Sequence, residues 1–250
     1  MTRAADPDGP IGVVAEGWEG VRGAELLQAA MPHEDVLVVA DQAFAPYARR
    51  RPDQVTQRVA GLADGLIGEG AKALLLAAGH ASFAARPAPD GVPVRGLEAG
   101  LRQALADAAG AGVACAFAAD EVQTMVLARA IRGLRGGGTV TLVERGADDP
   151  AALVDRSRAL APEARVLLLL TPAAYVDSAA VRDIAGGLHV VDALEAAVAF
   201  LAHDIRRQRL LAHHGLRAGR VTALATRGGT TGFAREPLST ASAAVLQRRG

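Results

Sequence analysis

Short apolar runs alternate with longer helical patterns along most of the 250-residue chain. Eight of these runs are rich in valine and leucine and carry apolar residues at successive positions, so both faces of each predicted strand are apolar. Such strands are typical of parallel sheets that helices cover on both faces. The predicted strands are Ile11–Val14, Val36–Val39, Ala73–Ala77, Val113–Phe117, Thr139–Val143, Val166–Leu170, Leu188–Val191 and Val221–Ala225.

Helical patterns fill the intervals between these runs. Val55, Val59, Leu62 and Leu66 recur at the spacing of one helix face, and Pro52 just ahead of them suits a first helical turn. The same apolar spacing predicts helices at 97–108, 125–134 and 194–211. The alternation predicts an α/β fold of two similar domains, each with a mostly parallel central sheet flanked by helices.

Two joins divide this predicted fold. One is the proline-rich segment 86–93, and the other is segment 214–219. We therefore expect a first domain of residues 1–96 that is completed by a return segment from about 215 to 250. The second domain is expected to comprise residues 97–214.

The charge balance and the cysteine count exclude several classes of protein. The chain has 27 basic and 27 acidic residues, whereas nucleic-acid-binding proteins usually carry an excess of basic charge, so we expect no direct nucleic-acid binding. The single cysteine, Cys115, excludes an internal disulfide and a multi-cysteine site, and we expect no metal. The polar N-terminus and the short apolar runs predict no secretory signal, no membrane span and a cytoplasmic location.

Searches for catalytic motifs leave few candidates. The stretch from Gly17 to Gly20 follows the first predicted strand but matches neither the dinucleotide-binding fingerprint nor the P-loop. His80 stands just beyond the strand at 73–77, where α/β folds place ligands, so it either contacts a ligand or has a local packing role. A nucleotide-binding α/β protein stays open as a further alternative, which a nucleotide-induced shift in melting temperature would reveal.

Several strand-end segments carry a family resemblance. Residues 11–20 read I-G-V-V-A-E-G-W-E-G and are similar to the stretch I-G-V-F-D-S-G-V-G-G. Residues 41–55 are similar to D-T-A-R-V-P-Y-G-P-R-S-P-E-E-V, residues 77–82 to A-C-N-T-A-S, and residues 190–193 to V-I-D-S. In order and spacing these segments resemble glutamate racemase of the Asp/Glu racemase superfamily over roughly residues 11–235.

The resemblance implies a cofactor-independent proton exchange at the α-carbon of glutamate, with one cysteine thiol on each face of that carbon. Here Ala78 and Pro172 occupy the two cysteine positions, and neither side chain can move a proton. No catalytic residue is therefore assigned, although we expect Ala78 and Pro172 to face each other across one cleft. The polar groups that the resemblance assigns to substrate binding are replaced by Ala15, Glu16, Gly79, His80, Ala173 and Ala174.

Two functions follow from this resemblance. The first is a catalytically degenerate glutamate racemase-like protein, a pseudoenzyme without cofactor that binds a small acid or a protein partner and can pair as a homodimer. The alternative is an active cofactor-independent racemase or isomerase of amino acids. It would supply D-glutamate for peptidoglycan by means of altered acid–base residues. Exchange of the substrate α-proton in D₂O distinguishes the two.

The candidate site residues lie mostly at strand ends of the first predicted domain. Glu16, Asp41, Tyr47 and His80 suit a new acid–base set, since a histidine and a carboxylate exchange protons near neutral pH. Alternatively, these side chains are polar only because they face water. The full set of candidate cleft residues is Glu16, Asp41, Tyr47, Gly79, His80, Ser82 and Tyr175.

Overall fold

The computed structural model describes residues 5–17, 19–84, 91–117, 131, 139–144, 149–170, 177–213 and 217–226. The strands in this part of the chain form two sheets, and all neighbouring strands are parallel. The strands are β1 (Ile11–Ala15), β2 (Val36–Ala40), β3 (Ala73–Leu76), β4 (Val94–Gly96), β5 (Gly112–Phe117), β6 (Val140–Glu144), β7 (Ala164–Leu169), β8 (His189–Asp192) and β9 (Val221–Ala225).

The two sheets divide the strands in an order that differs from the chain order. The first sheet runs β4-β3-β1-β2-β9, and the second runs β6-β5-β7-β8. Strand β9 pairs with β2 in a register from Val36 opposite Val221 to Ala40 opposite Ala225. The chain therefore returns to the first sheet after it has completed the second. Because the strands of each sheet are parallel, their carboxyl ends meet at one edge.

Helices alternate with these strands. Three of the helices have an aspartate as their N-cap residue. Asp149, Asp177 and Asp192 each accept through their side chains from backbone N–H groups of the first helical turn. A short 3₁₀ turn, Tyr47–Arg49, also precedes the second helix. The helices of the described residues are α1 (Glu19–Ala30), α2 (Pro52–Gly68), α3 (Gly79–Ala84), α4 (Glu98–Asp107), α5 (Pro150–Leu160), α6 (Ser178–Ile184) and α7 (Ala193–Arg207).

Three apolar layers hold the sheets and helices together. The layer between the two sheets contains side chains of α1, α4 and α7, together with Val13 and Leu75 of the first sheet and Val113 and Leu168 of the second. A second layer lies between α2 and the other face of the first sheet. The third lies between the second sheet and the pair α5 and α6. Both faces of each sheet are thus covered, which explains the continuous apolar runs in the sequence.

The two-sheet α/β fold predicted from the sequence is confirmed, and all eight predicted strands are present with ends shifted by at most two residues. The structure adds β4, which is only three residues long and follows Pro93. The helix predicted at 194–211 ends at Arg207, and the left-handed backbone of Arg209, with a φ of +57°, turns the chain away. The helix predicted at 125–134 lies outside the described residues except for Ile131.

The predicted domain boundaries stay a prediction. Helix α7, which the sequence places in the second domain, packs against strands β3 and β4 of the first sheet as well as β8 of the second. It also packs against α1 and α4. A single helix therefore contributes to the core that both sheets share.

Gly100 lies at a close approach between α4 and α7. A Cβ atom at this position would lie 2.4 Å from the Cα of Ala193, the first residue of α7. We expect Gly100→Ala to push the helices apart and to lower the free energy of unfolding by about 1–3 kcal/mol. Gly61→Ala in α2 is the matched control, because a Cβ there meets nothing within 4 Å and alanine favours a helix. The urea concentration at the midpoint of unfolding should fall for Gly100→Ala and rise for Gly61→Ala. Equal shifts for the two variants would contradict the close packing at Gly100.

Candidate functional site

The first-domain candidates lie where strands of the first sheet end. Glu16 follows β1, Asp41 follows β2, and Ala78 and Gly79 follow β3. Parallel strands place these positions along one side of the sheet, which we call the carboxyl edge of the first sheet. Two predicted positions of the other half of the site, Pro172 and Tyr175, lie outside the described residues. The predicted cleft between the two halves accordingly stays a prediction.

Asp41 is fully buried and is held by three side chains. Arg58 of α2 donates from Nε to Oδ2 at 2.8 Å and from Nη2 to Oδ1 at 2.6 Å. The Tyr47 hydroxyl donates to Oδ2 at 3.0 Å, and Thr226 Oγ1 donates to Oδ1 at 2.6 Å. Each carboxylate oxygen therefore has two donors, and Asp41 joins α2, the 3₁₀ turn and the segment after β9.

These contacts set the protonation of both Asp41 and Tyr47. Burial alone would raise the pKa of Asp41, but the hydrogen bonds from Arg58, Thr226 and Tyr47 outweigh it and hold that pKa below its usual value. Burial, followed by the negative charge of Asp41, raises the pKa of the Tyr47 hydroxyl. Asp41 stays ionised and Tyr47 stays protonated near neutral pH. The geometry therefore suits a structural role for the pair better than proton transfer.

Two further carboxylates at this edge bind backbone N–H groups. Glu16 Oε1 accepts from the N–H of Tyr47 at 2.8 Å. Glu19, the first residue of α1, accepts through Oε1 from the N–H of Gly17 at 2.8 Å and from the N–H of Glu16. Glu19 is buried, and this burial raises the pKa of its carboxyl although the backbone hydrogen bonds oppose the shift. Backbone donors at the start of the stretch from Gly17 to Gly20 thus bind an acidic side chain of the chain itself.

The residues after β3 are packed rather than open to water. Ala78 is buried and ends in a methyl group, and His80 in the short helix α3 is also buried. The single hydroxyl proton of Ser82 is shared between the backbone oxygens of Leu76 and Ala78, each 2.8 Å from Oγ, and Oγ accepts from the N–H of Leu97 at 2.9 Å. The Ser82 hydroxyl therefore ties β3 to the start of α4.

Two carboxylates at strand ends, the partly buried Glu98 and the buried Asp192, were missed by the sequence analysis. Glu98 follows β4, Asp192 ends β8, and burial raises the pKa of both side chains. Asp192 Oδ1 accepts from the N–H groups of Leu194 and Glu195, so it begins α7. The resemblance at residues 190–193 passes through Asp192 and offered a signal, whereas Glu98 follows a strand that the sequence did not indicate.

A cavity of about 350 Å³ lies at the other side of the first sheet. Its lining includes Gly9 and Pro10 just before β1, Ala71 before β3 and Val92 before β4. It therefore lies at the amino ends of the strands, away from the candidate residues. Within the described ranges, no group of three or more His, Cys, Asp or Glu side chains could hold a metal ion. No helix of the same ranges is long and apolar enough to cross a membrane.

Solved glutamate racemases have the same fold. The Thermus thermophilus enzyme, in complex with β-chloro-D-alanine, matches with a TM-score of 0.71 at 23% identity, over 98% of this chain and 94% of that one. The Escherichia coli enzyme, in complex with L-glutamate and the activator UDP-MurNAc-Ala, matches with a TM-score of 0.62 at 16% identity, over 97% and 96% of the two chains. The chain therefore has the fold of these solved glutamate racemases.

Sequence comparison points to the same proteins. The glutamate racemase of Ralstonia pickettii is 29% identical over 162 residues, which cover 60% of this chain and 57% of the relative. The match thus spans little more than half the length of that curated relative. No family model matches the sequence. The chain is glutamate racemase-like in sequence as well as in fold, and the resemblance noted from the strand-end segments is confirmed.

Proposed function

We propose that this glutamate racemase-like chain does not perform the two-thiol proton exchange and acts by binding. The observation that carries the proposal is the position of the only thiol. Cys115 lies in the middle of β5 and is fully buried among apolar side chains. A substrate at the strand ends cannot reach a sulfur atom there.

At the end of the first sheet, the residue at the cysteine position cannot replace a thiol in proton exchange. Ala78, which the resemblance places at one cysteine position, is buried and offers no group that can accept or donate a proton. General acid–base catalysis by a positioned group typically contributes about 10²–10⁴-fold to a rate, and racemisation needs one such group on each face. Loss of both thiols therefore supports a non-catalytic protein.

An active enzyme with altered acid–base residues is the competing proposal. Of its four candidates, Asp41 is ionised within a network of donors and Tyr47 is held protonated, so both are removed from proton exchange near neutral pH. Only Glu16 and His80 of the four candidates then remain as acid–base residues for this alternative. The geometry thus favours binding, and a cell that makes peptidoglycan would then need another source of D-glutamate. We also propose that the protein acts in the cytoplasm.

Assays of glutamate racemisation test the proposal directly. Purified protein should leave the circular dichroism of L-glutamate and of D-glutamate unchanged, and NMR in D₂O should show no exchange of the α-proton. The Thermus thermophilus racemase serves as the positive control. Restoring the thiols by Ala78→Cys with Pro172→Cys should also leave the protein silent, because the groups expected to hold substrate are replaced as well.

Two single variants identify the residue responsible for any racemisation that is observed. Racemisation that is lost in His80→Ala but kept in Cys115→Ala would overturn the proposal and establish an altered acid–base enzyme. Racemisation that is lost in Cys115→Ala would also overturn the proposal, since it would show that the buried thiol reaches substrate. Exchange of the α-proton without inversion would reveal that one proton-transfer group survives.

A further inference from the structure

The backbone N–H groups at the end of β1 and at the 3₁₀ turn already have carboxylate partners within the chain. Gly17 and Glu16 donate to the Glu19 carboxylate, and Tyr47 donates to the Glu16 carboxylate. These donors lie at the carboxyl edge of a parallel sheet, beside the N-terminus of α1. Such a place attracts anionic ligands, because N–H groups and the helix dipole both favour negative charge.

Glu19 occupies these donors from a buried position. Its residue is only 5% exposed, so the carboxylate has been taken out of water and depends on the backbone donors for compensation. Glu25 on the same helix provides the contrast, because its side chain is 62% exposed and pairs with Arg22 at the surface. The buried carboxylate is therefore specific to the first turn of α1 and is not a general feature of that helix.

Both acidic side chains differ from the stretch that residues 11–20 resemble. Glu16 stands where the similar stretch has serine, and Glu19 stands where it has glycine. Glycine has no side chain to occupy the donors, and a serine hydroxyl is neutral. The two substitutions place the Glu19 carboxyl group on the N–H groups of Glu16 and Gly17 and the Glu16 carboxyl group on the N–H of Tyr47.

We propose that Glu16 and Glu19 form an internal plug, which occupies the N–H donors at the carboxyl edge of the first sheet and keeps small carboxylates from binding there. The inference goes beyond the proposed absence of proton exchange and does not depend on it. A glutamate molecule would have to displace Glu19 from its donors and would place further negative charge beside Glu16. Of the two binding modes expected from the sequence, a protein partner is then favoured over a small acid.

Titration of the ¹⁵N-labelled protein with L-glutamate and D-glutamate tests the plug. In the wild-type protein the amide resonances of Glu16, Gly17 and Tyr47 should not shift. In Glu19→Ala the amides of Glu16 and Gly17 lose their acceptor, so both should shift on titration, with an apparent affinity for glutamate at least about tenfold tighter than that of the wild type.

Two matched variants separate the plug from a general charge effect. Glu19→Gln keeps a side-chain oxygen that can accept from the same N–H groups, so it should behave like the wild type. Glu25→Ala removes one exposed carboxylate from the same helix and should also show no gain in binding. Equal gains in Glu19→Ala and Glu25→Ala, or no gain in either, would overturn the plug.

Wild-type titration keeps the inference testable if Glu19→Ala does not fold. Saturable shifts of the Gly17 amide on addition of glutamate to the wild-type protein would show that the donors accept an external carboxylate, and would overturn the plug. That result would leave the absence of racemisation untouched. Conversely, racemisation by the wild type would refute the proposed function, whereas the contrast between Glu19→Ala and Glu19→Gln tests the plug separately.

Discussion

Replacement of Lys72 by methionine is expected to lower the free energy of unfolding by about 3–5 kcal/mol. Lys72 is the only lysine among the 27 basic residues, and its side chain is fully buried. Its Nζ donates to Glu34 Oε2 at 2.5 Å and to the backbone oxygen of Pro7. Methionine fills a similar volume but leaves the Glu34 carboxylate buried without its cation.

The position of this pair explains why the loss is large. The second oxygen of Glu34, Oε1, accepts from the N–H of Ala212 at 3.0 Å. The pair therefore joins four separate parts of the chain, namely the segments just before β1, β2 and β3 and the segment that returns after α7. Removing one partner of a buried ion pair costs more than the pair contributes, because the other charge stays in an apolar environment.

Urea denaturation of a double-mutant cycle measures the effect. Lys72→Met combined with Glu34→Met should recover much of the stability that Lys72→Met alone loses, since both buried charges are then absent. Arg51→Met is the matched surface control, because Arg51 pairs with Asp53 through exposed side chains and its loss should leave stability nearly unchanged. A Lys72→Met variant as stable as Arg51→Met would show that the buried pair is not needed.

The sequence predicted the two-sheet fold because its strands are buried on both faces. Ala73–Leu76 and Ala164–Leu169 carry valine, leucine and alanine at nearly every position. This pattern can be recognised without knowing which strands pair with each other. Strand β4 has only three residues, two of them partly exposed, so it produces no comparable pattern. Its place at the edge of the first sheet comes from pairing with β3, which no local signal reveals.

The candidate site was predictable in position but not in its contacts. Asp41 and Glu16 were identified because they follow strands, and they do lie at the carboxyl edge of the first sheet. Their partners depend on the folded chain: Thr226, which donates to Asp41, is 185 residues away in sequence. Arg58 falls between the apolar positions of a predicted helix, and nothing in the local sequence pairs it with Asp41. The structural role of Asp41 therefore emerges from long-range packing.

Asp41→Asn is expected to lower the free energy of unfolding at pH 7 by about 2–4 kcal/mol. An asparagine in this position turns one of the two oxygens into an NH₂ donor. That group then faces two other donors, either Arg58 Nε with the Tyr47 hydroxyl or Arg58 Nη2 with the Thr226 hydroxyl. The Arg58 guanidinium also loses its charged partner. Asp64→Asn on the exposed side of α2 is the matched control and should change stability little.

The stability difference between wild type and Asp41→Asn should depend on pH, whereas a difference caused by packing alone would not. The pKa of Asp41 is lower in the folded chain than in the unfolded one, so the folded state is favoured as long as the carboxyl is ionised. The advantage of wild type over Asp41→Asn should be constant from pH 7 to about pH 5. It should then shrink as the pH falls through the ordinary aspartate pKa of about 3.9 and on through the lower pKa of the folded chain. Urea denaturation at pH 7, 5 and 3 measures the difference, with Asp64→Asn as the reference at each pH. A difference that stays the same at pH 3 would show that Asp41 stabilises the fold by its shape, whereas a shrinking difference identifies its negative charge, held by Arg58, as the source.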